Sequence, residues 1–227
     1  MKYESVIWDW NGTLLDDIVV AVEIVNDLFQ EYGVPRLTTD QYRDIFDFPV
    51  TLYYERAGLD LKRHDFNLIS ERFCDRFEKE FDRIALFSSA LETLGAVRQS
   101  GMRQYLLSGT EHQALHRMAA RCNALNLFDA AKGLQNNHAA GKHAAAERLM
   151  VQFQLNPGKT IMIGDTTHDA DVARHLGVDC ILLSGGHHSR DRLIQKGTLV
   201  LDSLAALYAP LEIPLPSGEG GPRQRAG

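Results

Sequence analysis

VIWDWNGTLLDD, residues 6–17, decides how the rest of the chain is read. An apolar run ends on Asp9, a turn-forming Asn11-Gly12 follows, and a second apolar pair leads into Asp16 and Asp17. A strand that delivers a carboxylate at its carboxyl end asks for other strands ending nearby. The chain supplies them. Short β-rich runs recur at YESVIW (3–8), RQYLLS (103–108), TIMIG (160–164) and CILLS (180–184), with weaker ones at AAKGL (130–134) and TLVL (198–201). Helix-like stretches separate them: ALETLGAVRQ (90–99), HQALHRMAARC (112–122), KHAAAERLMVQF (142–153) and HDADVARHL (168–176). Strands that are apolar throughout and alternate with helices predict a parallel sheet covered on both faces, an α/β doubly wound, Rossmann-like core.

Residues 16–88 break this rhythm. They read as consecutive helices, DIVVAVEIVNDLFQEYG, TDQYRDIF and HDFNLISERFCDRFEKEF, with no convincing strand. An all-helical block between the first and second core strands predicts an inserted cap domain. The core is then residues 1–15 and 89–210, the cap 16–88, and the Pro- and Gly-rich end from 211 to 227 a disordered tail.

The chain has 227 residues, 44% hydrophobic and 24% charged, ordinary for a globular protein. Its formal net charge of −6 gives no general attraction to nucleic acid or anionic membrane. A negatively charged ligand must therefore be drawn by a local site. Three well-separated cysteines, Cys74, Cys122 and Cys180, fit reduced thiols better than a disulfide framework. No signal segment and no membrane-length apolar run is present, so a cytoplasmic location is expected.

Ligands in such folds bind beyond the carboxyl ends of the strands. Those ends carry DWNGT (9–13), SGT (108–110) and GDTTHD (164–169). Folding would crowd Asp9, Asp165 and Asp169 together, and like charges that close need a cation. Oxygen-only ligands favour Mg²⁺. Ser108 and the amides of Gly109 and Thr110 suit phosphate oxygens, and Lys142 at a helix start adds positive charge. Metal, lysine, hydroxyl and amides together describe a phosphoryl site, with Asp9 as the nucleophile.

Asp9-Trp10-Asn11-Gly12-Thr13, Ser108, Lys142, and Gly164-Asp165 with Asp169 occur in the order found in the haloacid dehalogenase superfamily. The chain resembles its phosphoglycolate-phosphatase-like members with a helical cap, over roughly residues 3–205. The resemblance implies a Mg²⁺-dependent phosphatase acting on a small phosphorylated metabolite through an aspartyl-phosphate. It makes Asp9 the nucleophile, and Thr13, Ser108, Gly109 and Lys142 the phosphate contacts. It makes Asp9, the Asn11 carbonyl and Asp165 metal ligands, with Asp169 a ligand or an outer-shell partner.

Asn11 departs from the pattern. Typical phosphatases of the family have an Asp there, acting as acid to the leaving alcohol and as base for water. An amide can do neither, and losing such help typically costs ~10²–10⁴-fold in rate. Either the enzyme is slow or takes leaving groups that need no protonation, or another group has taken over, or the protein binds a phosphorylated ligand without turnover. His187 and His188 are candidates for the substitute acid or base; His168 is a weaker one. Arg43 is a candidate for a substrate carboxylate or, as the blander alternative, an exposed ion pair. The region Asp47–Thr51 is expected to face substrate, while the aromatic run around it is expected to be core. A mutase is disfavoured because it relies on the acid that Asn11 replaces, and a dehalogenase because it has no use for the acidic pair. A phosphonate hydrolase would need a cap lysine, Lys62 or Lys79.

Overall fold

The central apolar runs end up as strands buried on both sides, whereas the edge run at 199–201 is partly exposed. In the computed structural model, which describes residues 2–134 and 141–215, the chain opens with β1 (Ser5–Trp8) and β2 (Leu15–Asp16). Helices α1 (Ile18–Glu31), α2 (Thr39–Ile45), α3 (Val50–Arg56) and α4 (Phe66–Glu80) follow, and the chain returns through β3 (Ala85–Leu86). It then alternates: α5 (Ala90–Gln99), β4 (Arg103–Glu111), α6 (His112–Arg121), β5 (Ala130–Leu134), α7 (Lys142–Gln152), β6 (Thr160–Gly164) and α8 (Thr167–Leu176). Last come β7 (Asp179–Leu183), α9 (Arg190–Ile194) and β8 (Leu199–Leu201).

Six strands form one sheet in the order β5-β4-β1-β6-β7-β8, every pairing parallel. The order runs outward from β1 in one direction and then in the other, so the topological switch lies beside β1. Pleating sends neighbours to opposite faces. Val6 and Trp8 pack with Leu106, Ile161 and Ile163 on one side, whereas Ile7 packs with Tyr105, Leu107, Met162 and Val172 on the other. Both faces are covered, as the run of apolar residues predicts.

Three details differ from the sequence reading. Residues 16–88 do contain strand: β2 and β3 pair antiparallel, Leu15 with Leu86 and Asp16 with Ala85, so the helical segment leaves and re-enters the sheet through one two-stranded ribbon. Each of these strands is two residues long, too short to carry a periodic signal. Residues 50–56 and 190–194 are short helices. The tail expected from residue 211 starts later, since Leu211 and Ile213 are buried in the same cluster as Leu204 and Leu207. Residues 216–227 lie outside the described residues.

The helical segment sits over the carboxyl edge of the sheet and is pinned there by polar contacts. Arg43 Nε and Nη2 donate to the carbonyls of Gly186 and Gly185, each at 3.0 Å. Arg192 of α9 donates in turn to the carbonyls of Arg43 and Phe46. Among the described residues, no helix is long and apolar enough to cross a membrane.

Candidate active site

Asp9 leaves the end of β1 with its amide tied to the Ile163 carbonyl of β6 at 2.9 Å, so two adjacent strands fix the carboxylate. Gly12 makes the following turn at φ +71°, and a Cβ there would overlap Asp165. This is why the loop needs glycine at that position.

Asp9, Asp165 and Asp169 each offer an oxygen within 4.8 Å of the others, and all three are buried. Lys142 Nζ lies 2.6 Å from Asp9 Oδ1 and 2.7 Å from Asp169 Oδ1. One ammonium thus bridges two of the three carboxylates, while Asp165 is held by Thr13 and the His187 amide. Burial works against the charge on Asp169, but Lys142 and Thr166 together hold that carboxyl below the usual range. Asp9 receives less: burial, reinforced by Asp169 and Asp165, pushes it up in spite of Lys142. Asp165 is also pushed up by burial, against the pull of His187. Burial opposes the charge on Lys142 too, yet the facing carboxylates keep it protonated. The cluster carries more negative charge than the protein neutralises. Its donors are all carboxylate oxygens, which fits a hard divalent cation such as Mg²⁺.

The GDTTHD stretch serves two purposes at once. Thr166 and Asp169 form a reciprocal cap on α8, in which Thr166 N and Oγ1 donate to Asp169 Oδ2 at 3.0 and 2.6 Å. The other oxygen, Oδ1, takes Lys142. Capping the helix therefore aims the carboxylate into the site.

Ser108 is buried at the end of β4, where Thr110 N donates to its Oγ at 3.1 Å. The strand runs on to Glu111, so the expected SGT loop is strand end. Ser108, Gly109, Asp9, Asn11 and Lys142 share one cavity of about 380 Å³. Thr13, expected at the phosphate, is not among the residues lining it. Its hydroxyl donates to Asp165 Oδ1 at 2.8 Å, so it orients a carboxylate beneath the loop.

Asn11 is held at both ends of its amide. Nδ2 donates to Asp17 Oδ2 at 2.8 Å, and Oδ1 accepts from Thr110 Oγ1 at 2.8 Å. Asp17 is the residue that sequence reasoning missed. It stands just before α1, where an aspartate ordinarily caps its own helix, but it makes no such bond. Its carboxylate turns back to accept from Gly12 N at 2.9 Å and from Asn11. An aspartate at position 11 would face this buried carboxylate with no proton to share; asparagine supplies the donor. The only hint in the sequence is an acid placed five residues beyond Gly12.

Of the histidines, His187 belongs to this group. Its amide donates to Asp165 Oδ2 at 2.6 Å, Nε2 lies 3.4 Å from Asp17, and Nδ1 lies 2.9 Å from Tyr42 Oη. Burial opposes its charge, but Asp17 and Asp165 outweigh burial and raise its pKa to about 9. With both ring nitrogens engaged, it braces the loop against α2. His188 faces elsewhere, its Nδ1 accepting from Thr167 N at 3.0 Å. His168 lines the cavity against the Phe48 ring, and burial lowers its pKa to about 4. Phe48 and Val50, from the stretch expected to face substrate, line the cavity. Neither Lys62 nor Lys79 does so. Arg43, expected at a substrate carboxylate or in an exposed ion pair, does not line the cavity: it pairs with the exposed Asp40 at 4.0 Å and also donates to the two glycine carbonyls, because the loop after β7 presents them to α2.

The pattern described as haloacid dehalogenase-like hydrolase matches residues 6–183. A phosphoglycolate phosphatase of Synechococcus elongatus is 21% identical, the match covering 84% of this chain and 88% of the relative. Among solved structures, a predicted phosphatase from Clostridium acetobutylicum superposes with a TM-score of 0.78 at 17% identity, covering 93% of this chain and 99% of its own. Protein tyrosine kinase A of Mycobacterium tuberculosis superposes equally well, with a TM-score of 0.78 at 19% identity, covering 92% and 98%. Identities this low establish the shared fold, not a shared substrate.

Proposed function

Since this chain belongs to the haloacid dehalogenase-like hydrolase family, we propose that it is a Mg²⁺-dependent phosphatase that cleaves a small phosphate monoester through an aspartyl-phosphate at Asp9. The observation that carries this reading is the convergence of Asp9, Asp165, Asp169 and Lys142 on one floor beneath a cavity of about 380 Å³. That volume lies near the small end of ligand pockets, ~300–1,000 Å³. Residues 16–88 act as the cap, keeping water and large partners away during reaction. Nothing in the charge pattern favours nucleic acid or membrane as partner, and a cytoplasmic setting suits the free thiols.

Asp9 attacks phosphorus through a carboxylate oxygen, and the P–O bond to the alcohol breaks with its electron pair going to the departing oxygen. Lys142, the Ser108 hydroxyl and the Gly109 amide hold the phosphoryl oxygens, with the Thr110 amide orienting the Ser108 hydroxyl. Water then attacks phosphorus, inorganic phosphate leaves, and the Asp9 carboxylate is restored. Asp9, Asp165 and the Asn11 carbonyl would hold Mg²⁺, with Asp169 a ligand or an outer-shell partner; the ion would screen the carboxylates and the incoming phosphoryl charge.

Asn11 favours a second reading, a protein that binds a phosphorylated ligand without turning it over. A phosphate-release assay with Mg²⁺ over small phosphoesters separates the two, with phosphoglycolate, named for several relatives, as reference. Release that disappears in Asp9→Asn supports the phosphatase. Tight fluoroberyllate binding with no release from any ester would replace it with the binder.

A further inference from the structure

The cavity is built differently at its two ends, and the difference identifies a class of substrate for the phosphatase proposed above. The floor is polar. The walls and roof come from the helical segment and α6; Phe46, Phe48, Val50, Tyr53, Phe73 and Met118 form their apolar part, with Ser70 and charged groups beside it. Phe46 also packs against Phe48 and against Tyr53, with ring centroids 5.2 and 5.0 Å apart. Such walls accept an apolar ring and cannot satisfy a charge.

The charges bordering the cavity tell the same story. Lys142 is matched by Asp9 and Asp169, His187 by Asp17, and Arg117 at the rim by Glu78 at 3.0 Å. Asp75 and Glu111 add further acids to the lining. Arg43, the cation that sequence offered for a substrate carboxylate, is turned onto the carbonyls of Gly185 and Gly186. Residues 135–140, outside the described set, contain neither lysine nor arginine. Among the described residues, therefore, the lining has more carboxylates than cations. A carboxylate on the leaving group would lose its hydration and meet apolar rings or like charge.

A separate observation concerns the bond that breaks. Asn11 has no proton to lend, since its amide is tied to Asp17 and Thr110. A phenol, with a pKa of about 10, departs as an anion far more readily than a hydroxyl near the pKa of water, about 15.7. An aromatic leaving group thus suits both the walls and the missing acid.

We infer that the site is shaped for aryl phosphate monoesters whose leaving group is an uncharged phenol, and against esters whose leaving group carries a carboxylate. This rests on the phosphatase reading. In the first step the Asp9 oxygen bonds to phosphorus while the phosphorus–aryl oxygen bond breaks, and the phenolate takes its proton from solvent. In the second, water adds to phosphorus, one of its protons passing to solvent or phosphate, and the Asp9 carboxylate and inorganic phosphate separate.

The test compares phenyl phosphate, benzyl phosphate and phosphoglycolate on the full chain with Mg²⁺. The readout is kcat/KM, which reports the first irreversible step and is blind to the hydrolysis that all substrates share. Phenyl phosphate is expected to exceed phosphoglycolate by about 10²-fold or more, the size of general-acid help that a phenol does without. Benzyl phosphate, which keeps the ring but leaves as an alkoxide, is expected between them. Phosphoglycolate equal to or above phenyl phosphate overturns the inference and leaves the phosphatase standing. No release from any of the three overturns the phosphatase reading and the inference with it. Val50→Lys, which adds a cation to the roof, is expected to lower the ratio of phenyl phosphate to phosphoglycolate about tenfold; a ratio that does not move also counts against the inference.

Discussion

The two regions that meet at the cavity follow opposite rules. At the carboxyl edge of the sheet, charged and polar groups are buried and nearly every one has a named partner: Asp169 with Thr166 and Lys142, Asp165 with Thr13 and His187, Asp17 with Asn11 and Gly12. Across the cavity, the helical segment presents mainly aromatic rings, with Asp75 and the Glu78–Arg117 pair at the lining, and keeps other ion pairs, such as those of Glu31 with Arg72 and Arg76, on the outside. The comparison teaches that the chemistry is rigidly specified where backbone elements converge. Selectivity is left to a surface that only has to be apolar and the right shape.

The sharpest way to break this picture is at its most committed residue. Asp9→Asn is expected to reduce phosphate release on the order of 10⁴–10⁶-fold, as the loss of a nucleophile does. The fold should survive, because the change removes charge from an over-negative cluster. Release assays and thermal melts on the same sample check both halves.

Titration with Mg²⁺ tests whether the charge excess is real. A concentration a hundredfold above Kd stabilises by about 2.7 kcal/mol, roughly 5–10 °C in melting temperature for a chain this long. The sign with pH follows from Asp9 and Asp165, both pushed up by burial. A raised carboxyl favours the folded state while it holds its proton, and that contribution is lost as pH climbs above the ordinary carboxylate range. The metal-free fold should therefore weaken between about pH 4 and about pH 8. The Mg²⁺-induced rise in melting temperature should be larger at the higher pH, where protons no longer compete. An equal or smaller rise there would contradict the cluster described above.

Asn11 and Asp17 offer a finer probe within the polar half. Asn11→Asp removes the half-buried donor to Asp17 and opposes two carboxylates, at an expected cost of about 1–3 kcal/mol. Adding Asp17→Asn returns a donor to the pair and should recover most of that loss. Two independent, additive losses in a denaturation cycle would show that the residues do not act together.

The smallest effect is expected where the two halves are joined. Arg43→Lys keeps the charge but loses the forked geometry to Gly185 and Gly186, which should cost about 1 kcal/mol. Urea denaturation is the check, and no change would mean that the brace over the loop is dispensable.

Much of the sheet was legible because a strand buried on both faces has to be apolar along its length. AAKGL and TLVL were weak signals, yet Ala130–Leu134 and Leu199–Leu201 are strands. The cap that aims Asp169 is local too, since Thr166 and Asp169 are three residues apart and one turn of helix brings them together. The juxtaposition of Asp9, Asp165, Asp169 and Lys142 followed from topology, since adjacent parallel strands deliver their carboxyl ends to one edge. Asp17 was hidden because a helix-start aspartate usually caps its own helix, and nothing local says that its carboxylate turns back. The Arg43–Asp40 ion pair was legible because three residues separate the two on one helix, whereas the glycine carbonyls that Arg43 also holds lie 142 and 143 residues away and were not.

By itself, then, the sequence determined the sheet, the place of its reactive edge and the residue types gathered there, because each follows from periodicity and short-range chemistry. Only the tertiary structure decided how those groups divide their partners. It ties Asn11 to Asp17, sends Thr13 to a carboxylate, and turns Arg43 away from the cavity. Which lone pair meets which proton is settled by side chains brought from distant parts of the chain, each constrained by packing that no local pattern encodes.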